Sequence, residues 1–368
     1  MERLLYHIYD QLLDEFEVAI VGPKGCSKFL QAQSPVLVCP PLPPWKFLLH
    51  CQARTLQMAT AVKPDLIFSG SGVTAPAAVM GGRLLRIPVL TYLHGLDIVA
   101  DSIAYRSLFL PAIRMVNGIV VNSHSTDRLV RSVGIKVPSI VLHPGITIPD
   151  PSDLDKGKAF REKFKTEARP ILLSVGRLTR RKGIVEFIEN CLPKIVQAHP
   201  GVLYVIIGGE PKNAIGSQAG MADRILDVVN NRGLGECVLL LQDVDDITLG
   251  HAYTAAQVLV FPVIDRPHDV EGFGMVAVEA AAHGLPTVAF AVGGVVDAVK
   301  DGVSGYLVDA GDYEILTQAI IGHVMKTSIG VSKHSCMEFA QGFSWEFFGK
   351  KLRGICWKAI MGEGRSWY

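Results

Sequence analysis

The stretch Glu271-Gly-Phe-Gly-Met-Val-Ala-Val-Glu279-Ala-Ala281 joins a glycine-bearing loop to an apolar helix, with one acid ahead of the helix and another two turns into it. Glycines let the backbone approach a ligand closely, and the unpaired N–H groups of a helix start attract anions. The two carboxylates are spaced to grip different parts of one elongated ligand, such as a sugar bound through its phosphates. The run Val258–Phe261 before this stretch reads as a buried strand. After it, Gly284-Leu-Pro286 closes the helix ahead of another strand, Thr287–Ala291. Strand, loop, helix and strand in this order are the repeat of a parallel α/β sheet.

The same rhythm extends over the rest of the chain. Short β-branched runs at Val18–Val21, Val36–Val38, Leu66–Ser69, Val89–Leu93, Ile119–Asn122 and Ile140–Leu142 form a first series. Ile171–Val175, Leu203–Ile207, Val238–Leu241, Val258–Phe261, Thr287–Ala291 and Tyr306–Val308 form a second. Two doubly wound, Rossmann-like α/β domains are predicted. The segment from Pro149 to Lys158 is rich in proline and charge and lacks an apolar period, so it reads as the connection between them. The predicted domains are residues 1–155 and 156–345, with a terminal helix over 346–368. Leu5, Ile8 and Leu12 have helical spacing, so the chain opens on an amphipathic helix with no strand and no glycine-rich loop ahead of it. The proline run Pro40–Pro44 reads as a rigid loop before an ordinary helix, with a membrane-docking or acceptor-binding loop as the alternative.

At 368 residues the chain is comfortable for two domains, and 49% hydrophobic with 19% charged residues describes a well-buried globular protein. A net charge of +1 gives no electrostatic basis for nucleic-acid binding. The seven cysteines include no C-x-x-C pair and no zinc spacing with histidine, and they are read as reduced thiols of a cytosolic protein. No apolar run approaches the roughly 20 residues needed to span a bilayer, and the first residues lack the pattern of a signal peptide. The expected location is the cytoplasm, with a membrane surface as the one alternative.

Two cations complete the candidate site. Ser174-Val-Gly176-Arg177-Leu-Thr-Arg-Arg-Lys182-Gly183 closes a strand and opens a helix, and open α/β sheets bind ligands at the carboxyl ends of their strands. Arg177 and Lys182 are the predicted phosphate-neutralising pair, whereas Arg180 and Arg181 read as surface charges. Gly176-Arg177-x4-Lys182-Gly183 together with Glu271-Gly272-Phe273-Gly274-x4-Glu279 resembles the donor domain of the family-4 retaining glycosyltransferases, enzymes of the GT-B fold. The resemblance runs from about residue 60 to the C-terminus, where it implies that the helix over 346–368 crosses back to the N-terminal domain. It implies two Rossmann-like domains facing a cleft, with Arg177 and Lys182 on the donor diphosphate, Glu271 on the transferred sugar and Glu279 on the ribose. It also implies that Gly208, in Gly208-Gly209-Glu210, turns the chain beside the nucleotide, and that the amides of Gly272, Phe273 and Gly274 face the leaving group.

In the first half, Thr91-Tyr-Leu-His94-Gly95-Leu-Asp97 ends a predicted strand. A lone histidine there is usually structural, but the resemblance places His94 near the transferred sugar; Asp97 by itself reads as a cap of the next helix. Asn122-Ser123-His124-Ser125 resembles a serine-bearing loop in which Ser123 or Ser125 is a cap, and Gly293-Gly294 reads as a structural support. The sequence departs from the family at Gln242, where glycine is usual, and at the N-terminus, where the family has a Gly-Gly loop.

The function implied is transfer of a sugar from a nucleotide diphosphate sugar, GDP-mannose or a UDP-hexose, to an acceptor hydroxyl with retained configuration. The implied setting is glycan, lipopolysaccharide or glycolipid biosynthesis. Arg177 and Lys182 then do the work of a metal, so no metal and no other cofactor is expected. A glycan or lipid-linked acceptor would bring the N-terminal domain to the inner face of a membrane. A catalytically impaired sugar-nucleotide-binding protein and an N-terminally truncated transferase are the alternatives. A nicotinamide-dependent dehydrogenase is disfavoured because no G-x-G-x-x-G follows a strand in the required place.

Overall fold

The computed structural model describes residues 2–31, 33–40, 44–99, 103–166, 168–210, 220–325 and 330–362. Most of the proline run, residues 41–43, lies outside them. The chain forms two compact units: Met1–Gly145 with Trp345–Tyr368, and Ile146–Ser344. The second unit therefore begins ahead of the 155/156 boundary expected from composition. The physical reason is burial. Ile146 pairs with Ser344, and Ile146 and Phe160 are both 1% exposed in the core of the second unit. The charged connection is thus bracketed by residues that this core needs.

All twelve predicted runs carry a strand. In the first unit these are β1 (Ile20–Pro23), β2 (Val36–Cys39), β3 (Ile67–Ser69), β4 (Val89–Leu93), β5 (Gly118–Val121) and β6 (Ser139–Val141). In the second they are β7 (Ile171–Val175), β8 (Leu203–Ile207), β9 (Val238–Leu241), β10 (Val258–Phe261), β11 (Thr287–Phe290) and β12 (Gly305–Val308). Every pairing is parallel. Strands covered by helices on both faces need apolar side chains on both faces, and β4, β5, β8, β10 and β11 are buried along their whole length.

The second unit is one six-stranded sheet in the order β12-β11-β10-β7-β8-β9. Chain order reverses on either side of β7, so the β7/β10 border is its topological switch point, where the loops leaving the two strands diverge and a crevice opens. The first unit departs from the expected continuous sheet. Its strands form a pair, β1-β2, and a separate set of four, β3-β4-β5-β6. Among the described residues no strand joins β1 to β3. The helix Glu2–Leu12 lies over the end of β3, where a Cβ added to Gly70 would stand 2.5 Å from Leu5 Cδ2. The helix Trp345–Ile360 returns to this unit and is tied to the first helix's C-terminal end by Arg353, which bonds Gln11 O at 2.8 Å and Asp14 Oδ2 at 2.8 Å.

All seven cysteines are unpaired, five of them buried and Cys26 and Cys237 half-buried. Among the described residues, no helix is long and apolar enough to cross a membrane.

Candidate functional site

The site of the second unit is assembled by the loops after β7 and β10, the two strands at the switch point. After β7, the short 3-10 turn Arg180–Lys182 ends at Gly183, whose φ of 66° is left-handed. A Cβ there would sit 1.9 Å from Pro262 O, so only glycine lets this turn lie against the end of β10. Ile264 N donates to Arg181 O at 2.9 Å and fastens the two loops together. Gly208, at the end of β8, makes a similar close approach, since a Cβ on it would lie 1.9 Å from Gly176 O.

These contacts bring Lys182 to Glu271 across 89 residues of sequence, with Lys182 Nζ 2.7 Å from Glu271 Oε2. Lys182 is 8% exposed and Glu271 9%. The ammonium also lies over the Phe261 ring, 4.6 Å from its centroid. Arg181, expected at the surface, is instead 6% exposed and reaches the same carboxylate oxygen with Nη2 at 3.4 Å. Its Nε lies 3.8 Å from Asp269 Oδ1. The correction has a local cause. The left-handed turn at Gly183 swings Arg181 and Lys182 inward together, and of the charge run Arg177 and Arg180 are left exposed.

Burial by itself would raise the pKa of Glu271, but Lys182 and Arg181 outweigh it and hold the carboxyl below its ordinary value. Burial lowers the pKa of Lys182, and the neighbouring arginines add to that while Glu271 opposes it. The cluster is the buried Lys182–Glu271 pair with Arg181 attached, and Asp269 faces Arg181 at its edge.

Gly274, with φ 102°, is the N-cap of the helix Met275–Ala282. The Gly293-Gly294 turn supports the loop in front of it, with Gly294 N donating to Glu271 O at 2.8 Å. Phe273 is 3% exposed, and its ring centroid lies 5.8 Å from that of Phe343, so its side chain belongs to the core and its backbone remains for a ligand. Glu279 is half-buried and accepts a 3.1 Å hydrogen bond from Tyr253 Oη. The Tyr253 ring stacks on His283 at 5.0 Å, and His283 Nδ1 is bonded to Glu279 O at 2.8 Å. Tyr253 and His283 were not anticipated. Neither sits in a motif, and only the fold brings the helix Asp246–Ala255 beside Glu279.

In the first unit, His94 follows β4 and is half-buried. Its Nε2 pairs with Gly70 O at 2.8 Å, and its ring lies 5.0 Å from that of Tyr92. Asp97 does not cap the helix Leu96–Val99. It sits in that helix's first turn, and its Oδ2 accepts from His94 N at 2.9 Å. Burial raises the pKa of Asp97, while His94 and backbone N–H groups oppose the rise. Ser123 is the cap of His124–Ser132, accepting from Thr126 N at 3.0 Å.

A unit with a six-stranded parallel sheet and a charged cluster at its switch point, paired with a second parallel α/β unit, is the architecture of the GT-B glycosyltransferases. The family model "Glycosyltransferase Family 4" matches residues 1–148, and "Glycosyl transferases group 1" matches residues 155–325. Together the two models span most of the chain and mark it as a glycosyltransferase of GT-B type. It is 30% identical over 218 residues to D-inositol 3-phosphate glycosyltransferase of Mycobacterium marinum, a match covering 56% of this chain and 42% of that protein. It is 26% identical over 260 residues to the GDP-mannose-dependent alpha-(1-6)-phosphatidylinositol monomannoside mannosyltransferase of Mycolicibacterium smegmatis, covering 68% of this chain and 65% of that one. Less than two thirds of the length of either relative is thus matched. Among solved structures, Anabaena Alr3699/HepE in complex with UDP superposes with a TM-score of 0.78 at 21% identity, over 97% of this chain and 96% of that one. Sucrose-phosphate synthase from Thermosynechococcus elongatus gives 0.74 at 20% identity, over 97% and 92%.

Proposed function

We propose that the protein is a retaining hexosyltransferase that moves a sugar from a nucleotide diphosphate sugar, GDP-mannose or a UDP-hexose, to an acceptor hydroxyl on a glycan or lipid-linked glycan. The observation that carries this reading is the Lys182–Glu271 pair, with Arg181, at the switch point of the six-stranded sheet. Breaking the anomeric bond builds positive charge on the sugar and negative charge on the leaving diphosphate. Fixed cations beside the diphosphate and a fixed carboxylate beside the sugar lower that barrier. Lys182, the exposed Arg177 and the amides at Gly272–Gly274 take the diphosphate. Glu271 holds the sugar and Glu279 the ribose. With that charge supplied by side chains the reaction runs without a metal, so chelator leaves turnover unchanged. His94 is the further catalytic residue of this reading.

The reading extends to a cytoplasmic protein in glycan, lipopolysaccharide or glycolipid biosynthesis that touches a membrane surface through its first unit. Between Glu17 and Asp65 the sequence has no acid but carries Lys24, Lys28, Lys46, Arg54 and Lys63. Trp45 and Leu49, one turn apart at the start of the helix Pro44–Val62, are each 58% exposed. Apolar and basic side chains together suit an anionic lipid surface.

The test is a panel of GDP-, UDP- and ADP-sugars, with released nucleotide as the readout and NMR of the product anomer. Release from one donor class, with configuration retained, is expected. If no member of the panel is turned over or hydrolysed, the reading fails in favour of a sugar-nucleotide-binding protein.

A further inference from the structure

Glu271 Oε2 is shared by two cations that are held in different ways. Lys182 ends a flexible stem, and its Nζ lies beside Gly176 at the end of β7, 3.6 Å from where a Cβ on that glycine would stand. Arg181 is tethered. Its Nη1 donates to Thr179 Oγ1 at 3.0 Å, its Nε faces Asp269 at 3.8 Å, and its backbone carbonyl is bonded to Ile264 N. The Nε is buried without a hydrogen-bond partner of its own, so the guanidinium stays in a partly unsatisfied position to reach Glu271.

A diphosphate at the end of β7 competes with Glu271 for Lys182. A buried carboxylate left by its closest cation would take up a proton or swing away, and either change would spoil its grip on the sugar. A second cation that cannot follow the phosphate prevents both. We propose that Arg181 is a positioning residue that keeps Glu271 ionised and oriented while Lys182 turns to the donor diphosphate. This inference rests on the reading of the site given above. The charged groups facing Glu271 are Lys182, Arg181 and, at longer range, Arg177. Asp269 faces Arg181 from the loop that carries Glu271. Removing Arg181 therefore weakens the hold on the ionised form of Glu271, and the effect is largest once a phosphate occupies Lys182.

The experiment follows the Glu271 carboxyl by carbon-13 NMR in glutamate-labelled protein, assigned with Glu271→Gln. It is titrated with and without saturating pyrophosphate in the wild type, Arg181→Met and Arg181→Lys. Thermal melting first shows each variant to be folded, and Arg181→Gln, which retains a donor for Thr179, takes the place of Arg181→Met if that variant is not. With pyrophosphate bound, the midpoint in Arg181→Met is expected to rise by about one pH unit, a tenfold change in proton affinity, and Arg181→Lys is expected to restore most of it. In turnover with the preferred donor, the acid limb of kcat moves the same way while the donor KM holds. Equal midpoints in wild type and Arg181→Met overturn the proposal, as does a rise in donor KM with an unmoved pH profile, which would make Arg181 a direct phosphate ligand. A wild type that turns over no nucleotide sugar defeats the functional reading instead, and the carboxyl titration is still decided.

Discussion

The six-stranded unit and the unit carrying His94 use the same βα repeat and reach different degrees of assembly. In Ile146–Ser344 the sheet runs unbroken from β12 to β9, and the loops leaving β7 and β10 are fastened at Ile264–Arg181 and at the contact of Gly183 with Pro262. Charged side chains far apart in sequence therefore meet before any ligand arrives. In Met1–Gly145 with Trp345–Tyr368 the strands fall into two and four, and His94 is held by groups close to the ends of β3 and β4. A continuous sheet around a switch point fixes a site in advance. An interrupted sheet holds single residues through local hydrogen bonds.

The widest separation between the units is expected from Lys182→Ala. Removing one member of a buried ion pair typically costs about 3–5 kcal/mol, reduced here to the extent that Arg181 still holds Glu271. Urea denaturation of the second unit should show that loss together with weakened nucleotide diphosphate binding; unchanged stability would mean that the pair is not buried in solution. Gly183→Ala comes next. At a left-handed φ against Pro262 O, the added methyl should cost about 1–3 kcal/mol and part the two loops, which chemical denaturation and nucleotide affinity would both register. In the first unit, His94→Ala should lower kcat about tenfold, near the value of one hydrogen bond to a substrate, while leaving nucleotide binding and the melting of the six-stranded unit intact. Tyr253→Phe should have the smallest effect. It frees Glu279 from one hydrogen bond worth about 1 kcal/mol, so the donor KM should change only a few-fold, with kcat unmoved.

The pH dependence separates the units as well. The folded pKa of Glu271 is depressed, so its contribution to stability is fully present above the unfolded carboxylate value. It is lost as pH falls through the folded one. Acid should therefore weaken the second unit through this pair, and Glu271→Gln should flatten that part of the stability profile.

The strands were legible because apolar, β-branched runs between charged helices leave few other folds, and β8 and β10 match their predicted bounds. The candidate loops were legible through the glycine and acid spacing around Glu271 and Lys182. The inward turn of Arg181 was not. Beside the two cations assigned to phosphate, Arg180 and Arg181 read as solvated until the left-handed conformation at Gly183 is seen. The bond from Tyr253 to Glu279 was also hidden, because it depends on how two helices pack and not on spacing along either. The break between β1 and β3 was not legible, since strand order is a tertiary property.

In the proposed function, Glu271 grips the sugar while its cationic neighbours hold the diphosphate. Comparing Glu271→Gln with the wild type tests it most directly, with nucleotide release from the preferred donor measured beside nucleotide diphosphate affinity by calorimetry. The expected result is a fall in turnover of about two orders of magnitude or more, with affinity for the free nucleotide nearly unchanged. Turnover that survives the substitution would contradict the account.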